Sequence, residues 1–153
     1  MIELEINTKN HNISVPINIW NKNKNKYEEI DALFDTGAHT CAIDTEIFLN
    51  LGYNLDNATK AYISTATQSN EKVNRVVIDK IKLGDTEFDS VFFNTFDFPI
   101  TSTQILIGMN VIRNFEVKMN FKKKIITMSE NYLASDDYYN ADIFGDWRAD
   151  IKN

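Results

Sequence analysis

The residues with the clearest chemical potential are Asp35-Thr36-Gly37-Ala38, which follow the apolar run Ala32-Leu33-Phe34. A carboxylate at the end of a buried strand is costly to ionise unless the surrounding loop supports it. Gly37, two positions on, lets the backbone turn and lets another segment approach closely. Thr36 adds a hydroxyl that can lock the loop from the side. An acid held this rigidly suits general acid–base work. An Asp opening a plain surface turn before Gly is the simpler alternative. The apolar residues on both sides, including Ala42-Ile43, favour the catalytic reading.

Neighbouring groups make weaker candidates. Asp44 stands before Ile47, Phe48 and Leu51 and reads as a helix N-cap. Asp31 is expected to face solvent. His39 and Cys41, two apart on one strand face, suggest a Cys–His pair but lack a third partner, so Cys41 reads as a small buried apolar residue. An aspartyl-nucleophile phosphatase needs a second Asp where Gly37 stands, and an actin-like ATPase needs a far longer chain.

The elements around this loop read mostly as short strands. Ile2, Leu4 and Ile6 alternate with polar residues, as do Ile13, Val15, Ile17 and Ile19. Pro16 falls on the opposite parity and marks an edge or bulge. The polar stretch 21–26 reads as a hairpin loop into a strand from Tyr27 to Phe34. A helix starts after Asp44 and closes at Gly52. Strands are expected over 61–66 and 73–83 around Gln68-Ser69-Asn70, and Gly84-Asp85 turns the chain into 88–93. Ile105-Leu106-Ile107 reads as a buried strand ending at Gly108, followed by a short helix over 110–114. Residues 115–121 and 125–128 pair across Lys122-Lys123-Lys124, a solvated turn. Together these elements predict a mainly β chain, a small closed β-barrel with one or two short helices.

Length and composition set the limits. The chain has 153 residues, room for one domain, and 43% hydrophobic with 25% charged residues predicts a folded core rather than disorder. One cysteine excludes an internal disulfide, and with two histidines it leaves too few soft ligands for structural zinc. A net charge of −6 argues against nucleic acid as a partner. No membrane span and no signal peptide are expected, and the reading is a protein of a reducing compartment, the cytoplasm.

The order Asp35-Thr36-Gly37-Ala38, then Ile105-Leu106-Ile107-Gly108 before a helix, resembles the retropepsin-like aspartic proteases, over about residues 10–128. The resemblance implies that barrel fold and an endopeptidase acting on extended hydrophobic peptide segments, without cofactor or metal. Asp35 matches the catalytic aspartate; Thr36, Gly37 and Ala38 complete its loop. Residues 61–75 take the place of the flap, with Ile63, Ser64, Thr65, Ala66 and Thr67 toward substrate. Leu106, Ile107 and Gly108 match the segment crossing beneath the loop. Flaps of many relatives carry glycines at the tip; residues 64–72 carry none.

The family's chemistry takes two carboxylates, and one Asp-Thr-Gly per chain implies a homodimer. The alternative is a catalytically silent module of the same fold for dimerisation or peptide binding. Residues 1–128 are read as the protease domain and 129–153 as an acidic, aromatic extension. That extension is disordered, lies in the cleft, or packs on the fold or the partner; its aromatic residues favour packing.

Overall fold

A computed structural model describes residues 1–8, 12–64, 71–99 and 103–130. Its strands arise where apolar residues alternate. In β1 (Ile2–Glu5), Ile2 and Leu4 are buried while Glu3 and Glu5 face out. β2 (Ser14–Asn21) buries Val15, Ile17 and Ile19 and turns into β3 (Lys26–Phe34). The polar turn between them is held by Asn21, whose side-chain oxygen accepts from the Lys24 N–H at 2.9 Å and whose amide donates to Glu28 at 3.0 Å. Such Asx contacts explain why a stretch without apolar residues folds here.

β4 (Cys41–Asp44) runs straight into α1 (Thr45–Asn50). Asp44 caps that helix, one carboxylate oxygen accepting from the Glu46 N–H at 3.1 Å. The other oxygen takes the Phe98 N–H at 2.9 Å, so a single side chain joins two connections. α1 docks through Phe48, buried and stacked on Tyr53 at 5.2 Å, and Gly52 ends it at φ +90°.

The chain continues through β5 (Thr59–Ile63), β6 (Glu71–Leu83), β7 (Thr86–Phe96) and β8 (Ile105–Ile107). It then passes α2 (Met109–Ile112), β9 (Phe115–Asn120) and β10 (Ile125–Glu130). The turn at 68–70 expected to join β5 and β6 lies outside the described residues, as do residues 65 and 66 of the strand expected over 61–66. β10 pairs with β9 as far as Glu130, past the boundary expected at 128; residues 131–153 of the expected extension lie outside the described residues.

The larger sheet runs β2-β3-β8-β4-β7-β6-β5, and β2 also pairs with β6 through Asn18↔Lys82 and Ile19↔Ile81. That contact closes a six-strand barrel, with β5 hanging from β6 outside the ring. Pro16 sits opposite Asp31 of β3, below the two residues that meet β6, where its missing N–H is tolerated. The core holds Ile17, Ile19, Ile43, Ile78, Ile81, Phe93, Ile105 and Ile107, all inaccessible to water. A second sheet, β1-β10-β9, adds Leu4, Ile126 and Met128 to the same core. Among the described residues no helix is long and apolar enough to cross a membrane.

Candidate active site

β8 determines how the Asp35 loop is held. It lies between β3 and β4, parallel to β3 (Leu33↔Leu106, Phe34↔Ile107) and antiparallel to β4 (Ala42↔Leu106, Ile43↔Ile105). The segment 35–40 joining β3 to β4 must therefore arch over the end of a strand that arrives from much later in the chain. The parallel ladder runs on into the arch, where the Asp35 N–H donates to the Ile107 carbonyl at 3.0 Å. The Asp35 carboxylate accepts the Gly37 N–H at 2.8 Å, an Asx contact that fixes the side chain on its own loop. Asp35 is half-buried, while Thr36 and Gly37 are exposed.

The far side of the arch is tied to α2. The Met109 N–H donates to the Ala38 carbonyl at 2.8 Å and the Asn110 N–H to the His39 carbonyl at 3.0 Å. Asn110, itself buried, accepts the Cys41 N–H on its side-chain oxygen at 2.8 Å and donates its amide to the Phe92 carbonyl at 3.0 Å. One asparagine so bridges α2, β4 and β7. The expected helix over 110–114 starts earlier, at Met109, because the first helical N–H groups are taken up by the arch. Asn114 instead follows the helix and donates back to the Asn110 and Val111 carbonyls.

Gly108 is required by contact rather than by backbone angle. A Cβ there would lie 2.6 Å from the Thr40 carbonyl carbon and 2.9 Å from the Cys41 nitrogen, both main-chain atoms. The Gly108 N–H points at the Cys41 sulfur at 3.4 Å. Burial pushes the Cys41 thiol up to about 12, so it stays protonated and inert at neutral pH. His39 is exposed on the arch while Cys41 opens β4 inside the core, so the two do not share the face expected for them. The reason is that the strand begins only at Cys41. No Cys–His pair forms.

The structure thus brings Asp35, Thr36, Gly37 and Ala38 together with Leu106, Ile107 and Gly108. Of the residues expected to cover them, Ile63 ends β5, Ser64 follows it, and Thr65, Ala66 and Thr67 lie outside the described residues. Asp31 is exposed and accepts from the Asn7 amide at 3.1 Å, and Asp44 is engaged in capping at the other end of β4. Two contributors lay beyond the sequence reading. Leu33 pairs with Leu106, both half-buried beside Asp35, and Asn110 carries the strap. An amide-bearing residue two positions after Gly108 was the available signal for Asn110. Among the described residues no three His, Cys, Asp or Glu side chains gather in a metal-binding group.

A family model described as aspartyl protease matches residues 15–111, more than half the chain. Among solved structures, a retropepsin-like aspartic protease from Rickettsia conorii superposes with a TM-score of 0.59 at 18% identity, covering 83% of this chain and 88% of that one. The retroviral protease-like domain of Ddi1 from Leishmania major gives 0.51 at 13% identity, covering 78% and 90%. No curated protein sequence is significantly similar. With its β8 threaded under an Asp-Thr-Gly arch and its barrel closed by β2 and β6, the chain belongs to the aspartyl protease family and has the retropepsin-like fold.

Proposed function

We propose that this protein is an aspartic endopeptidase active as a homodimer, each protomer supplying Asp35 to one shared site. The observation that carries the reading is the placement of Asp35: its N–H is fixed to Ile107, its carboxylate to the Gly37 N–H, and its loop remains partly open to water. One such carboxylate cannot act as base and acid in the same step, and a two-fold axis supplies the other.

Two carboxylates a few ångströms apart share one proton, as in aspartic proteases generally. The ionised member takes a proton from water, whose oxygen bonds to the scissile carbonyl carbon. The protonated member donates its proton to the carbonyl oxygen. One hydroxyl of the resulting diol gives its proton to the ionised member as the C–N bond breaks, and the amine nitrogen leaves with the proton held by the other member. Thr36 reaches toward the partner's loop, while Gly37 and Ala38 shape the floor. Leu106, Ile107 and Gly108 support that floor, and Leu33 with Leu106 offers an apolar wall beside the acid. Ile63, Ser64, Thr65, Ala66 and Thr67 cover a bound peptide, which lies extended and pairs as a strand.

Hydrophobic segments of proteins or peptides are the substrates this cleft would favour. A single cysteine held as a buried thiol suits a reducing compartment, the cytoplasm. The peptidase domain expected over residues 1–128 runs on through β10 to Glu130, and the rest of the 129–153 extension packs on it or on the partner. Incubation with a diverse peptide library, read by mass spectrometry, tests the reading. Defined fragments should appear, fade with a pepstatin-type inhibitor and vanish in Asp35→Asn. Fragments that persist in the variant would show that another group, or a contaminant, cleaves; no fragments from a well-folded dimer would favour the silent module.

A further inference from the structure

We propose that Trp20, Tyr27, Lys80, Lys82 and Glu87 form a latch across the junction of β2 and β6, and that releasing it lets the barrel open there as a local event. The latch works whether or not the chain cleaves peptides.

Among the described residues β2 and β6 share two register pairs, whereas β2 and β3 share eight. β8 is joined as briefly to β3 and to β4, but there the arch adds its own main-chain bonds, from Asp35 to Ile107 and from α2. The β2–β6 junction relies on side chains instead. Its short ladder has a cause in β6. Ile78 and Ile81 are both buried, three positions apart, so the alternation of the strand slips between them. β7 kinks at the same level, with Phe88 and Val91 both buried and Ser90 at φ +54°. Asp79 and Ser90 drop out of the β6–β7 register there. The Asp79 N–H goes to the Tyr53 hydroxyl at 3.3 Å, and that hydroxyl donates to the Trp20 carbonyl at 3.0 Å. One side chain thus replaces the next rung between β2 and β6.

The latch lies on the outside of this junction. Tyr27 of β3 reaches over β2 and β6 and donates its hydroxyl hydrogen to the Glu87 carboxylate of β7. Its ring meets the Trp20 ring edge-on at 5.2 Å. Lys80 Nζ stands 4.2 Å from the centre of the Trp20 ring and Lys82 Nζ 4.5 Å from that of Tyr27, so β6 is tied to both rings. Burial, and then the bond to Glu87, hold the Tyr27 hydroxyl above the usual phenol range, so it stays a donor. The strands joined here lead to different places: β3 runs into the Asp35 arch, and β6 carries the hairpin with β5. The ring stays connected the other way round, through β8, β4 and β7, so the junction can part while the rest holds.

Hydrogen exchange of the full chain, followed residue by residue by NMR, tests the latch. Tyr27→Phe and Glu87→Ala should each speed exchange of the amides that bond across the junction, among residues 18, 19, 81 and 82, roughly five-fold or more. The double variant should be no more than about two-fold faster than the faster single variant, because both remove the same bond. Amides between β9 and β10 should keep their wild-type rates. Unchanged junction amides, equal acceleration across the whole molecule, or single effects that multiply in the double variant would overturn the proposal. A cross-link is an independent check. Opposed Cα atoms of an antiparallel pair lie roughly 4.5–5.5 Å apart, within reach of a disulfide, and Asn18 faces Lys82 in the register. Cys41 is buried and does not compete. In a Tyr27→Phe chain carrying Asn18→Cys and Lys82→Cys, oxidation should return the remaining junction amides to wild-type rates or slower, and reduction should release them again. A pair that fails to oxidise, or a cross-link that leaves exchange fast, counts against the latch.

Discussion

The arch over β8 and the β5–β6 hairpin are built on opposite plans. The arch is held from below by Ile107, from the side by Met109 and Asn110, and at its end by the Cys41 contacts. Nearly every one of these partners lies about 70 positions away in the chain. The hairpin is local: β5 meets only β6 among the described residues, through pairs such as Tyr62↔Lys72 and Lys60↔Asn74. Lys60 reaches the Asn74 side chain, and Tyr62 stands 66% exposed. A floor that must keep a carboxylate in place needs contacts converging from several elements. On the proposed function the hairpin covers a peptide, and a cover is better attached along one line, where opening disturbs little else.

Substitutions that strike the floor should therefore exceed those on the hairpin. The largest expected effect is that of Gly108→Ala, whose new methyl meets main-chain atoms that cannot step aside. About 3 kcal/mol of stability should be lost, and with it roughly 6–12 °C of melting temperature. Asn110→Ala comes next. It strands the buried Cys41 N–H, for a loss of about 2 kcal/mol by denaturant titration and faster hydrogen exchange at Cys41. A change at Gly108 as mild as one on the hairpin would mean that the arch gives way more easily than its contacts imply.

Alkali offers a graded test of the same contrast. Cys41 is raised from an ordinary value near 9 to about 12, and Tyr53 from 10 to about 12, both chiefly by burial. Groups raised in the folded state stabilise it fully below their unfolded values, and that contribution falls as pH climbs through the interval. Stability should be level below pH 9 and decline toward pH 12, and Cys41→Ala should remove part of the slope. Throughout the level range a thiol reagent should leave Cys41 unmodified until denaturant is added. The smallest effect belongs to Tyr62→Ser, expected within about 0.5 kcal/mol of wild type by thermal melting.

Alternation made most strands legible, and turn chemistry at Asp44, Gly52 and Gly84 marked several ends correctly. The acid itself was readable because Phe34 and Ala42 enclose a polar loop in apolar sequence. Other features depend on residues distant in the chain. Nothing local to Asn18 or Lys82 announces that they meet and close the barrel. Nothing near Ile105 tells that its strand enters between β3 and β4 rather than beside them. Asn110 reads as an ordinary helical polar residue until β4 and β7 are placed around it. Even α2 was placed late by a residue, since Met109 is recruited by a carbonyl in the arch.

The threading of β8 also sets a clock. A chain emerging from the ribosome shows its Asp-Thr-Gly early, yet the floor beneath it does not exist until Ile105–Asn110 has arrived and paired with β3 and β4. Pairings this remote in sequence form slowly compared with hairpins. An unfinished or newly made chain would carry the acid without the means to use it. On the proposed function, delay between synthesis and competence is thus written into the strand order, and a nascent chain built this way poses little hazard to the proteins made beside it.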